Sequence, residues 1–78
     1  MSGVFWEIKC PSSKNLNAIE RNIRRACKQS KNVVLDTRRM KGLQRHAIEK
    51  EALDCLRRIK EIRRLILITG PNDIKQLK

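Results

Sequence analysis

Seventy-eight residues make one domain with a single modest core and leave no room for an internal catalytic cleft under a lid. Lys and Arg total 19 against 8 Asp and Glu, a net charge of +11 that points to a polyanionic partner rather than a merely soluble basic domain. The three cysteines, Cys10, Cys27 and Cys55, show no C-x-x-C spacing and His46 is the sole histidine, which excludes a disulfide framework and a ligand-dense zinc site and indicates a reducing compartment.

The first segment, Val4-Phe5-Trp6-Glu7-Ile8-Lys9-Cys10, is rich in β-favouring residues and stops at Pro11. Alternation puts Val4, Trp6 and Ile8 on one face, expected to be the core face, and Phe5, Glu7 and Lys9 on the other. The turn-rich Pro11-Ser12-Ser13-Lys14-Asn15 follows. Leu16, Ile19, Ile23, Ala26 and Cys27 then recur at helical spacing, predicting a helix over Leu16–Gln29 with a capping box between Asn17 and Glu20. Its other side carries Arg21, Arg24, Arg25 and Lys28. From Lys14 to Lys31 there are six cations and one acid, a local net of +5.

Asn32 to Thr37 reads as a second strand, almost continuously apolar and therefore central. Arg38 to Gly42 is a basic loop. A second helix is predicted over Arg45–Lys60 with Ile48, Ala52, Cys55, Leu56 and Ile59 as its buried stripe. Its mixed charges mark a scaffold helix rather than a binding face, and His46 falls on its surface. Leu65 to Thr69 is a third strand, Gly70 to Asp73 a turn, and Ile74 to Leu77 a short antiparallel edge strand. The order is β-α-β-α-β-β: an α/β fold with a small mixed sheet and two helices, its first three strands parallel through right-handed crossovers.

No signal peptide is expected, because Met1 to Cys10 lacks a basic start followed by an apolar run. The apolar stretch from Leu65 to Ile68 is far too short to span a bilayer. With its unpaired cysteines, the chain is expected in the cytoplasm.

Glu7 and Lys9 lie two apart on a strand, so their side chains leave the same face about 7 Å apart along the chain. Phosphodiester hydrolysis has a use for such a pair. The carboxylate helps hold a divalent metal, and the lysine offsets charge building on the phosphorane. The alternative is an exposed ion pair worth under about 1 kcal/mol. Asp36 is either a second metal ligand, if its strand neighbours the first, or a strand-end carboxylate paired with Arg38 or Arg39. The basic face of the first helix either grips phosphates, is solvated, or docks a membrane or partner. With Trp6 and Phe5 as the only aromatics, recognition by base stacking is disfavoured.

The run Trp6-Glu7-Ile8-Lys9-Cys10-Pro11-Ser12, a basic helix, and then Gln29-Ser30-Lys31-Asn32-Val33-Val34-Leu35-Asp36-Thr37-Arg38-Arg39 resembles a known group. It is similar to the tRNA-nuclease toxin domains at the C-termini of bacterial contact-dependent growth-inhibition (CdiA-type) proteins and to related phage and mobile-element domains. The resemblance covers the chain from Gly3 onward and implies a PD-(D/E)xK-like nuclease core. Glu7 would be an acidic metal ligand and Lys9 the catalytic lysine. Ser12, Ser13, Lys14, Asn15, Arg21, Arg24, Arg25, Lys28, Asp36, Arg38 and Arg39 would surround the substrate groove. One departure stands out: the family's first acidic ligand lies upstream of E-x-K, and Met1 to Trp6 contain no acid. The expected core is therefore truncated, an incomplete or degenerate copy that completes its sheet with another chain at the edge of the first strand.

The reading is thus an RNA-directed nuclease domain, with tRNA as a candidate substrate and magnesium or zinc as cofactor when active. RNA is favoured over DNA, and a homodimer through the exposed sheet edge is expected. Two other functions compete with it. One is a non-catalytic nucleic-acid-binding module; the other is a protein-interaction domain whose basic helix meets an acidic, immunity-type partner.

Overall fold

The computed structural model describes residues 5–78. Its elements are β1 (Glu7–Lys9), α1 (Asn17–Cys27), β2 (Asn32–Asp36), α2 (Arg45–Arg58), β3 (Arg64–Gly70) and β4 (Asp73–Gln76). The sheet order is β1-β2-β3-β4, with the first two pairings parallel and the last antiparallel. This is the expected α/β order, with two helices and a four-stranded mixed sheet, and β2 is internal as its apolar sequence required. No helix among the described residues is long and apolar enough to cross a membrane.

A strand order that advances by one at each right-handed crossover lays successive helices on the same face. α1 packs over β1 and β2, α2 over β3, and the helices pack on each other. Between them and the sheet lie Ile19 and Ile23 of α1, Val33 and Leu35 of β2, and Leu65 and Leu67 of β3, all buried. Each such aliphatic side chain contributes about 1.5–3 kcal/mol by leaving water. Met40, Ile59 and Ile62, from the connecting segments, close the ends of this core.

Register decides which face of β1 meets the helices. Glu7 pairs with Val33 and Lys9 with Leu35, and Val33 and Leu35 pair in turn with Leu65 and Leu67. Laterally paired residues project from the same side of a sheet. Glu7 and Lys9 therefore lie on the helix-covered face, while Ile8, Val34 and Ile66 lie on the bare one. The expectation that Trp6 and Ile8 face the core is corrected accordingly: Ile8 is 62% exposed and Trp6 is only half-buried. Val4, the third residue of that set, lies outside the described residues. A period of two identifies two faces but not which one the helices cover, and β1, at the sheet edge, can place its polar phase inward because solvent still reaches it.

The start of α1 also differs from expectation. Glu20 does not return to the Asn17 backbone, because Arg24 and Arg58 engage it. The Asn15 side-chain oxygen instead accepts from the Asn17 amide at 2.9 Å, and the Ser13 hydroxyl accepts from the Asn15 amide at 3.0 Å. These Asx- and Ser-type turns satisfy donors that the helix start leaves unpaired. Before α2, Gly42 turns the chain at φ 85°, in the left-handed region that a side chain resists.

Candidate functional site

The Glu7–Lys9 pair is built by β1 alone. The Lys9 ammonium stands 3.4 Å from the Glu7 carboxylate, and the side chains are 29% and 21% exposed. Neither side chain is buried, so the pair remains open to a ligand. On the far side of β1 no further strand pairs among the described residues, so its outer backbone edge is free.

Asp36 does not join this pair. Lys9 is level with Leu35, and Asp36, the next residue of β2, projects from the opposite face. Its carboxylate is gripped as a fork by Arg38, with Nε at 2.9 Å and the terminal nitrogen at 2.6 Å, and it also accepts from the Arg38 amide at 3.1 Å. The Arg38 side chain, foremost among the causes, holds the Asp36 carboxyl below its ordinary range. Of the two sequence readings of Asp36, the geometry is that of the strand-end carboxylate paired with Arg38.

A metal bound at Glu7 would find one carboxylate from the described chain. That donor set does not complete the octahedral oxygen shell of magnesium or the tetrahedral shell of zinc. Three potential ligands do converge elsewhere: Glu20, Glu51 and Cys55 bring donor atoms within 4.8 Å of one another. The Arg58 guanidinium already occupies that point, 2.8 Å from Glu20, 2.9 Å from Glu51 and 3.4 Å from the Cys55 sulfur. Burial, reinforced by the Glu51 charge, pushes the Cys55 thiol up to about 12, so it offers no thiolate. The cluster is a salt-bridged brace between α1 and α2.

The remaining predicted contacts fall into separate groups. Ser12 and Lys14 are exposed in the β1–α1 connection, while Ser13 and Asn15 use their oxygens in the local turns. At about 100° per residue, Arg21, Arg25 and Lys28 point away from the buried Ile19–Ile23 stripe and into solvent. None of the three has an ion-pair partner among the described residues. Arg24 leans toward α2 and is held 2.8 Å from Glu20. With Lys28 it lines a cleft of about 270 Å³ that also holds Cys27, Lys31, Ile59 and Glu61. Arg39 is exposed beside the Asp36–Arg38 fork.

Two residues absent from the sequence-based site emerge. Lys31 reaches back to the Cys27 carbonyl at 3.1 Å, closing the C-terminus of α1 and placing a cation in the cleft. Asn22, half-buried, lies on the flank of α1 opposite Glu20, hence toward the β1 edge, and donates to the Ala18 carbonyl at 2.7 Å. The charge of Lys31 was visible in the sequence, but its position was not. An isolated Asn in a helix carries no signal until the flanks of the helix are assigned.

Compared with known proteins, residues 1–74 match the family model described as the contact-dependent growth inhibition CdiA C-terminal domain. No curated protein and no solved structure matches the chain.

Proposed function

This chain belongs to the family of contact-dependent growth inhibition CdiA C-terminal domains, and from that premise we propose that it is a nuclease-type toxin domain acting on RNA phosphodiesters, with tRNA as a candidate substrate. Toxin domains of this family are delivered into target cells and typically bind cognate immunity proteins. The observation that carries the proposal is the solvent-accessible Glu7–Lys9 pair at the open sheet edge, on a chain whose adjacent helix presents the unpaired cations Arg21, Arg25 and Lys28 on its outer side. The E-x-K spacing and its position on β1 support a PD-(D/E)xK-like core.

In this reading Lys9 offsets the negative charge that grows on the phosphate oxygens as the scissile bond is attacked, and Arg21, Arg25 and Lys28 hold the RNA backbone. Glu7, 3.4 Å from the ammonium, orients Lys9 and would supply one carboxylate to a magnesium or zinc ion. The face carrying Glu7 does not complete the shell of either metal. A second acidic ligand would have to approach along the free edge of β1.

The test is incubation of the purified protein with RNA in magnesium or zinc. Cleavage lost in both Glu7→Ala and Lys9→Ala is the expected result. Intact RNA in either metal, with the fold verified by circular dichroism, overturns the catalytic reading. The position of Asp36 on the opposite face favours a second reading, a non-catalytic RNA-binding module. That reading expects RNA retention without turnover and binding unchanged by Glu7→Ala. Binding of an acidic immunity-type protein is compatible with both, and retention of protein rather than RNA from a lysate marks interaction as the primary role.

A further inference from the structure

The cleft of about 270 Å³ lies between the last turn of α1 and the segment joining α2 to β3. Its buried lining is apolar, Cys27 and Ile59, and its walls carry Arg24, Lys28, Lys31 and Glu61. Arg24 is engaged by Glu20 at 2.8 Å. Neither Lys28 nor Lys31 has an ion-pair partner among the described residues, although Glu61 shares the cleft with them. Lys31 is fixed from two sides. Its ammonium donates to the Cys27 carbonyl at 3.1 Å, and its own carbonyl accepts from the Arg63 and Arg64 amides at 2.8 and 3.2 Å. One of the ammonium's N–H donors is thereby used and the others remain. The same contacts anchor the segment from Lys60 to Arg64, whose charge is net positive despite Glu61.

We propose that this cleft binds a phosphate monoester, the terminal phosphate of a nucleotide or of an RNA strand, between Lys28 and Lys31. Charge selects the ligand. A monoester carries about −1.5 to −2 near neutral pH and presents three acceptor oxygens, whereas each phosphate within a strand carries a single charge. Two unpaired ammonium groups match the monoester. Size agrees with this. At about 30 Å³ per water, the cleft has room for roughly nine waters, enough for a phosphate and the ribose attached to it. Cys27 and Ile59 offer the sugar an apolar surface, and Cys27 does no more than that, because burial pushes its thiol up.

The position of the cleft links it to the outer face of α1. Lys28 is the last cation of the row that begins with Arg21 and Arg25, so a strand held along that row has its end at the cleft. Glu7 and Lys9 lie elsewhere. Lys9 is level with Leu35, about 10 Å along β2 from Asn32, which follows Lys31. The proposal goes beyond the cleavage reading, does not depend on it, and shares Lys28 with the RNA-binding one.

Amide chemical shifts of the isotope-labelled protein, titrated with adenosine monophosphate (AMP) in the absence of metal, test this. Saturable shifts are expected at Cys27 to Lys31 and at Ile59 to Arg64, with a dissociation constant of about 1 mM, the yield of two hydrogen bonds between charged groups. Adenosine, which lacks the phosphate, should leave these amides unmoved at the same concentrations. Lys28→Gln and Lys31→Gln should each weaken AMP binding about ten-fold or more. Glutamine in place of Lys31 keeps a donor for the Cys27 carbonyl, so the end of α1 stays closed. Glu61→Gln removes the opposing carboxylate and should tighten binding. Lys41→Gln removes the same charge as Lys31→Gln from an exposed residue past the far end of β2, about 16 Å along the strand, and should leave the affinity unchanged. Shifts that do not saturate by about 10 mM AMP overturn the proposal. So does an equal response to adenosine, or a loss in Lys41→Gln equal to that in Lys31→Gln. Competition against AMP then identifies the source. An RNA with a phosphorylated end that outcompetes the same RNA with a hydroxyl end assigns the site to strand ends, and equal competition assigns it to free nucleotides. Cleavage is not read in these measurements, so their failure is separate from failure of the nuclease reading.

Discussion

Replacing Arg21 and Arg25 by alanine should flatten the salt dependence of RNA binding by a calculable amount. Arg21, Arg25 and Lys28 are exposed on the outer side of α1 and free of ion pairs among the described residues, so each is available to a phosphate. On a single strand each contact contributes about −0.7 to the slope of log K against log salt. Three contacts contribute about −2.1, which weakens binding about 18-fold between 50 and 200 mM salt. Removing two leaves about −0.7, a loss of only about 2.6-fold over the same interval. Arg24, by contrast, is committed to Glu20 at 2.8 Å and leans toward α2, so Arg24→Ala should leave the slope unchanged. Fluorescence anisotropy of a labelled single-stranded RNA, titrated at several potassium chloride concentrations, measures all three slopes. The assignment fails if the double variant keeps the wild-type slope, or if Arg24→Ala flattens it as much as the double variant does.

Two further outcomes follow from the side-chain environments. Cys10 is exposed whereas Cys27 and Cys55 are buried, with the Cys55 thiol pushed up to about 12, so a thiol reagent at neutral pH should titrate one cysteine in the native protein and three in denaturant. The Asp36 carboxyl is held below its unfolded value by the Arg38 side chain, so its contribution to stability is present above the unfolded pKa of about 3.9 and is lost as pH falls through the depressed native value. Asp36→Asn should therefore be less stable than wild type at pH 7, and the difference should shrink below about pH 4 in chemical denaturation.

The elements themselves were legible because they rest on local rules. Helical spacing of Leu16, Ile19, Ile23 and Ala26 predicted α1, and the apolar run from Val33 to Leu35 predicted an internal strand. Net charge and its concentration between Lys14 and Lys31 are sums over residues and need no fold. The proximity of Glu7 and Lys9 follows from strand alternation alone, and the structure places them 3.4 Å apart.

What alternation leaves undetermined is sidedness, and sidedness governs the site. Only the pairing of Glu7 with Val33 and Lys9 with Leu35 turned that pair toward the helices, exposed Ile8, and left Asp36 on the other face in the grip of Arg38. Likewise, the four bases of the first helix look equivalent in sequence, but the packing of α1 against α2 committed Arg24 to Glu20 and left Arg21 and Arg25 free. The bare apolar face is a consequence of both crossovers placing their helices on one side. Each of these outcomes is a relation between segments distant in sequence. The pattern within one segment fixes its periodicity, whereas its phase against neighbouring strands and helices is a property of the assembled fold.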